Sequence, residues 1–404
     1  MQLPDYFKEE VSIMAEVKTP LMYGKEACDA IMHYEHPADF WPKGAMFYIP
    51  GVFLSGMQRI WKLTGEKKYF DFIKLYFDTV LPGDGSLYGI NHELTVPDTE
   101  GSPYNYGSLT MLDCKQPSIL LYDIYDETGD EKYLKPIKTI GQSMYYWPVN
   151  QYGGYWHMMT EPNQMWMDGA YMAGPLSVKY AKRFGEPVLR ERAIKQVFLM
   201  DDFIKDKKSG LYFHGWDISK KAEWADPETG LSANIWGRAV GWYAVAVLDI
   251  LDDIPKDHPA VERLKQIETD LLKTLVKYQD SVTGKWYQVL DKPGEEGNWV
   301  ETSCTCLFIY SYAKAIRRGI LDASYASVLE KAYQGVVDDL YYDENGYVVL
   351  DGVCMGTCIQ SGTYEHYINR KQVKNDLHGM GAFVLMCAEM ELYRNVKKES
   401  CAQK

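Results

Sequence analysis

A chain of 404 residues exceeds the usual size of an ordinary domain, so it holds either two such domains or one large barrel-like domain. A hydrophobic content of 46% and a charged content of 25% are those of a globular protein whose core can enclose a deep pocket. The formal charge of −13 leaves no basic surface for a phosphate backbone, which argues against nucleic-acid binding, and no apolar run is long enough to span a membrane.

The N-terminal stretch MQLPDYFKEEVSIM lacks the basic and apolar segments of a secretory leader, so a cytoplasmic protein is expected. Further along, one unit recurs: an apolar helix, a short turn, an amphipathic helix, then a loop rich in glycine and aromatic residues. The turn from Leu63 to Tyr69 (LTGEKKY) is echoed from Glu127 to Tyr133 (ETGDEKY), and more loosely at Arg183-Phe184-Gly185-Glu186-Pro187. Two more turns fall at Ile254-Pro255 and Arg318-Gly319. Five turns and a terminal helix predict six helical hairpins.

The helices divide into two kinds. Ala239 to Leu251 and Ser303 to Ile316 are apolar almost all round, as an enclosed helix must be, whereas Ala260 to Gln279 is apolar on one face only. Six inner helices ringed by six outer ones form an all-α (α/α)6 barrel, a single domain over residues 1–404; an open helical solenoid is the alternative. Asp206 to His214, Asp280 to Leu290 and Tyr342 to Leu350 pass through glycine into aromatic or β-branched residues, which predicts short β-hairpins in the loops.

Eight cysteines suit a reducing compartment. Cys304, Cys306, Cys354 and Cys358 lack the paired spacing of a structural zinc site and read as buried thiols. Asp343-Glu344-Asn345-Gly346 starts like a calcium loop but lacks the later ligand positions. Neither metal nor cofactor is expected.

The chemically distinctive residues share a position. Asp113, Asp168, Trp236 to Arg238 and Glu301-Thr302 each fall at the start of an inner helix, so parallel inner helices bring them to one end of the barrel. The positive helix termini there favour an anion by about 0.3–1 kcal/mol each.

His157, the run Glu161 to Met172 (EPNQMWMDGAYM), Leu211 to Asp217 (LYFHGWD) and Asn234 to Tyr243 (NIWGRAVGWY) resemble glycoside hydrolase family 105, the unsaturated rhamnogalacturonyl hydrolases. Glu301-Thr302-Ser303 and Asn375 to Phe383 (NDLHGMGAF) extend the similarity to the last hairpin, and family 88, the unsaturated glucuronyl hydrolases, is the related group. The resemblance implies an (α/α)6 barrel with two catalytic aspartates and an unsaturated uronyl oligosaccharide as substrate, derived from pectin. Such a substrate carries an enol ether at C4=C5. Acid protonates C4, water adds at C5, and the hemiketal opens to release the aglycone.

By resemblance Asp168 is the general acid and Asp113 the second carboxylate; a lone Asp before an apolar run would otherwise be read as a helix cap. Desolvation by Trp166, Met167 and Met172, with the like charge of Asp113, is expected to raise the Asp168 pKa. Arg238 is expected to grip the uronate carboxylate beside Trp236 and Trp242, with an internal ion pair as the alternative, and the two indoles are expected to stack on the sugar, with core packing as the alternative for one of them. His157 and His214 are expected to donate hydrogen bonds to the sugar. Two rival classes stay open: another (α/α)6 enzyme such as an epimerase or ordinary glycosidase, and a non-catalytic carbohydrate-binding barrel. The oligomeric state and the aglycone are not legible in the sequence.

Overall fold

The computed structural model describes residues 18–87, 95–97, 103–105 and 110–402. The N-terminal segment read above for a leader lies outside them. Among the described residues thirteen α-helices run in chain order: α1 Pro20–Tyr34, α2 Tyr48–Thr64, α3 Lys67–Val80, α4 Leu121–Thr128, α5 Glu131–Tyr145, α6 Gly169–Phe184, α7 Pro187–Phe203, α8 Gly237–Asp253, α9 Val261–Leu275, α10 Thr302–Arg317, α11 Ala326–Asp338, the short α12 Tyr364–Ile368, and α13 Leu377–Ala402.

The expected turns are where the hairpins fold. Gly65, Gly129 and Gly185 close α2, α4 and α6 with φ of 70°, 67° and 71°, a left-handed cap that costs glycine no side-chain clash. Consecutive hairpins are therefore α2–α3, α4–α5, α6–α7, α8–α9 and α10–α11. The sixth pair joins the two ends of the chain, with α1 packed on α13. The inner ring runs α2, α4 with its preceding 3-10 turn Gln116–Leu120, α6, α8, α10 and α13, and α13 packs back on α2 to close it. This closed (α/α)6 ring replaces the open solenoid.

Burial follows the layers. Every residue of α8 from Gly237 to Leu248 is buried, and so is every residue of α10 from Thr302 to Ala315. On α9 the buried set is Val261, Leu264, Ile267, Glu268, Leu271, Leu272 and Leu275, a stripe at helical spacing that faces the inner ring.

The loops hold two-stranded antiparallel pairs, and one of the expected hairpins forms as written, with Tyr341–Tyr342 against Val348–Val349. Asp206 to His214 closes as a tight turn with a single bridge from Lys205 to Tyr212. In Asp280 to Leu290 the turn forms at Asp280, whose carboxylate accepts from the N–H groups of Val282 and Thr283. Its strand Trp286–Tyr287 then pairs with Val300–Glu301 at the start of α10 rather than within its own loop. No helix among the described residues is long and apolar enough to cross a membrane.

Candidate active site

A cavity of about 520 Å³ opens at the end of the ring where the inner helices begin. Tyr48 at the start of α2, Asp113 ahead of α4, His157, Trp166 and Asp168 ahead of α6, and Asp376 to His378 at the start of α13 line it. Its size is that of a pocket for a small ligand.

Two loop segments place the acidic pairs. Gln164–Trp166 pairs antiparallel with Gly215–Asp217, and the Met167 N–H donates to the His214 carbonyl at 2.9 Å, so the His214 ring is held beside Asp168. Its Nε2 lies 3.2 Å from Asp168 Oδ2, and its Nδ1 lies 2.8 Å from the Tyr367 hydroxyl. Beside this pair the His157 carbonyl accepts from the Leu112 N–H at 3.0 Å, and His157 Nε2 lies 3.5 Å from Asp113 Oδ1. The His157 ring stacks on Trp166 at 4.5 Å and 14°. Trp166 thus stands between two carboxylate–imidazole pairs.

Asp168 occupies the N-cap position of α6, yet its side chain accepts no capping hydrogen bond. Capping is therefore not what its carboxylate does here. Glu301 is the contrast, because its carboxylate caps α10 through the N–H groups of Ser303 and Cys304 and also accepts from the Cys354 N–H at 2.8 Å.

The electrostatics correct one expectation. Burial pushes the Asp168 carboxyl up, but the hydrogen bond and charge of His214, with the charge of His157, outweigh it and hold the carboxyl below its ordinary range. His157 shows the reciprocal balance: burial pushes its pKa down, and the Asp113 charge and hydrogen bond raise it overall. The desolvation expected to dominate at Asp168 is thus overcome by the two imidazoles.

Trp236, Arg238 and Trp242 are placed differently from expectation. All three are buried and none lines the cavity, because the segment Val353 to Met355 is laid across the starts of α8 and α10. Arg238 fixes that segment: its guanidinium donates to the Cys354 carbonyl, to the Met355 carbonyl at 3.2 Å and to Ser303 Oγ at 3.3 Å. The guanidinium also lies over the Trp236 ring at 4.6 Å, while Trp236 Nε1 donates to Gln288 and Trp242 stacks on Tyr171 at 4.7 Å. These residues buttress the cavity wall from behind. His214 likewise reaches the cavity only through Asp168.

The sequence model of Glycosyl Hydrolase Family 88 matches residues 23–394, nearly the whole ring. The chain belongs to that family. Among solved structures it is similar to a family 105 glycoside hydrolase of C. acetobutylicum, at 30% identity and a TM-score of 0.82, over 92% of this chain and 99% of the other. The unsaturated rhamnogalacturonyl hydrolase YesR of Bacillus subtilis is 26% identical over 274 residues, 66% of this chain and 69% of YesR. An unsaturated 3S-rhamnoglycuronyl hydrolase of Formosa agariphila is 24% identical over 180 residues, 44% of this chain and 47% of that one. This family 88 chain is a glycoside hydrolase, and the resemblance drawn from its motifs is borne out.

Several lining residues of the family 88 cavity carried no expectation. Tyr48 has no motif around it. Asp376 and His378 stand in the NDLHG run, but only their place at the last inner-helix start marks them as cavity residues. Arg370 and Lys374, cations that line the cavity, lie in a loop whose course the sequence does not reveal.

Proposed function

We propose that this family 88 hydrolase releases the 4,5-unsaturated uronic acid from the non-reducing end of lyase-generated rhamnogalacturonan oligosaccharides, acting in the cytoplasm as one catalytic domain. The observation that carries the reading is the Asp168 carboxyl on the cavity wall, held by His214 and engaged in no helix cap. The similarity to YesR supports the pectin-derived substrate.

In this reading a protonated Asp168 donates its proton to C4 of the enol ether, and the positive charge that develops at C5 is shared with the ring oxygen. Water adds at C5 and gives a proton back to the Asp168 carboxylate. The hemiketal then opens, releasing the aglycone and leaving the enzyme as it began. Asp113, braced by His157, holds sugar hydroxyls beside it. The uronate carboxylate is met by Arg370 and Lys374 and by the positive ends of α2, α6 and α13, since Arg238 lies behind the wall. The anomeric carbon is not attacked, so the carboxyl-separation rule of ordinary glycosidases does not apply.

The test is a panel of lyase-generated disaccharides, with saturated counterparts, followed by loss of enol-ether ultraviolet absorbance in heavy and in oxygen-labelled water. Deuterium at C4 and labelled oxygen at C5 of the released keto-uronate are the expected result. Label at C1, or equal turnover of a saturated substrate, would move the chain to the conventional glycosidases.

A further inference from the structure

Tyr48, His378 and Asp376 form a second polar group on the cavity wall, apart from the two acidic pairs. His378 Nδ1 is hydrogen-bonded to Asp376 Oδ1, and the same oxygen accepts the His378 backbone N–H at 3.0 Å. The other ring nitrogen, Nε2, lies 2.7 Å from the Tyr48 hydroxyl. An ionised carboxylate only accepts, so the imidazole proton resides on Nδ1 and Nε2 presents a lone pair. The hydroxyl has one hydrogen, and that hydrogen is directed to Nε2.

The surroundings preserve this arrangement. His378 is 2% exposed, and burial lowers its pKa, which keeps the ring neutral and Nε2 free of a proton. Burial also raises the Tyr48 pKa, so the hydroxyl keeps its hydrogen. Gly356 lies against the imidazole: a Cβ there would stand 3.3 Å from the ring, so glycine lets the loop cover His378. Phe47 meets the Tyr48 ring edge-on at 4.9 Å and limits its swing. Tyr48 lines the cavity, and with its hydrogen given to Nε2 its oxygen can only accept from a ligand there.

We propose that the Asp376–His378 pair holds Tyr48 as a hydrogen-bond acceptor, so that this wall selects a substrate with a free hydroxyl and disfavours a sulfate ester or carboxylate at that point. Tyr48 is the group that touches the sugar, and Asp376 and His378 are positioning residues that act through it. The assignment rests on the functional reading above and adds to it the substrate class, a glycan unsulfated where it meets Tyr48.

Deoxy and fluoro analogues of an unsaturated uronyl-rhamnose disaccharide test the donor–acceptor assignment, because fluorine keeps a weak acceptor but removes the donor. At one hydroxyl position both replacements should lower wild-type kcat/KM by the same five- to tenfold typical of one neutral hydrogen bond, and Tyr48→Phe should erase that difference. Asp376→Asn retains a good helix cap and can donate to Nδ1, so Nε2 becomes the donor and the hydroxyl turns to the cavity. In that variant the fluoro analogue should recover relative to the deoxy one. A fluoro analogue as good as the parent in wild type, or a Tyr48→Phe loss shared by every analogue, would overturn the acceptor assignment. Wild-type enzyme that leaves the parent disaccharide intact would overturn the functional reading, and this assignment with it.

Discussion

His214 bridges Asp168 and Tyr367, with Nε2 at 3.2 Å from the carboxyl and Nδ1 at 2.8 Å from the phenol, so the imidazole is fixed at both nitrogens. It is also the main influence that holds the Asp168 pKa down against burial. Removing it has a signed consequence. In His214→Gln the Asp168 carboxyl should rise, and the alkaline limb of the pH–rate profile should move to higher pH while kcat falls. A limb that stays in place would show that His214 does not tune the acid.

Asp168→Asn should fold normally and lose at least the 10²–10⁴-fold in turnover typical of a lost general acid. Because no capping bond depends on this carboxylate, the melting temperature should change little. A folded variant with near-normal turnover would remove Asp168 from the chemistry.

Arg238 makes the opposite prediction, one of stability first. Its guanidinium satisfies the buried carbonyl of Cys354 and also donates to the half-buried carbonyl of Met355, and a buried carbonyl left unpaired costs about 1–3 kcal/mol. Arg238→Ala should lower the unfolding free energy by about 1–3 kcal/mol in denaturant titrations and loosen the wall carrying Met355 and Gly356. Arg238→Lys should rescue little, since one ammonium cannot reproduce the fork. A fully stable Arg238→Ala that only binds uronide poorly would restore the direct clamp.

The hairpin count, the two helix layers and the end of the ring that carries the site were legible because they rest on periodicity and on glycine turns, which are local. Asp113 and Asp168 were legible as cavity residues because each stands at or near an inner-helix start, and His157 through the motif that carries the family resemblance. Arg238 stands at such a start too, yet lies behind the wall. What covers it is the segment Val353 to Met355, more than a hundred residues away in the chain, and no local pattern reports that crossing. Tyr48 was missed for the same reason, since its role depends on His378, 330 residues distant.

The far end of the ring carries a buried ionic cluster. Asp249 on α8 pairs with Lys314 on α10 and, at 3.0 Å, with Arg59 on α2, and it accepts from Tyr310 at 2.6 Å. Burial raises its pKa, but these partners lower it from 3.8 to about 2. A depressed folded-state pKa gives stability that is present above the unfolded value and lost as pH falls through the folded one, worth about 2 kcal/mol here. Wild-type stability should therefore drop between about pH 4 and pH 2, with a shallower drop for Asp249→Asn. Parallel acid-unfolding curves for the two proteins would exclude the cluster as the source.

A depressed Asp168 pKa conflicts with its work as an acid unless the substrate itself changes the balance. A uronate carboxylate in the same cavity is a like charge, and at roughly 6 Å and an effective dielectric of about 20 it opposes the Asp168 charge by roughly 3 kcal/mol, about two pKa units. Binding should then recruit the proton that Asp168 donates to C4. The alkaline limb of kcat/KM reports the free enzyme and that of kcat the complex, so the kcat limb should lie about two units higher. The methyl ester of the same unsaturated uronide lacks the charge and should bring the two limbs together. Coincident limbs for the free acid, or equal separation for acid and ester, would show that the substrate carboxylate does not load Asp168 with its proton.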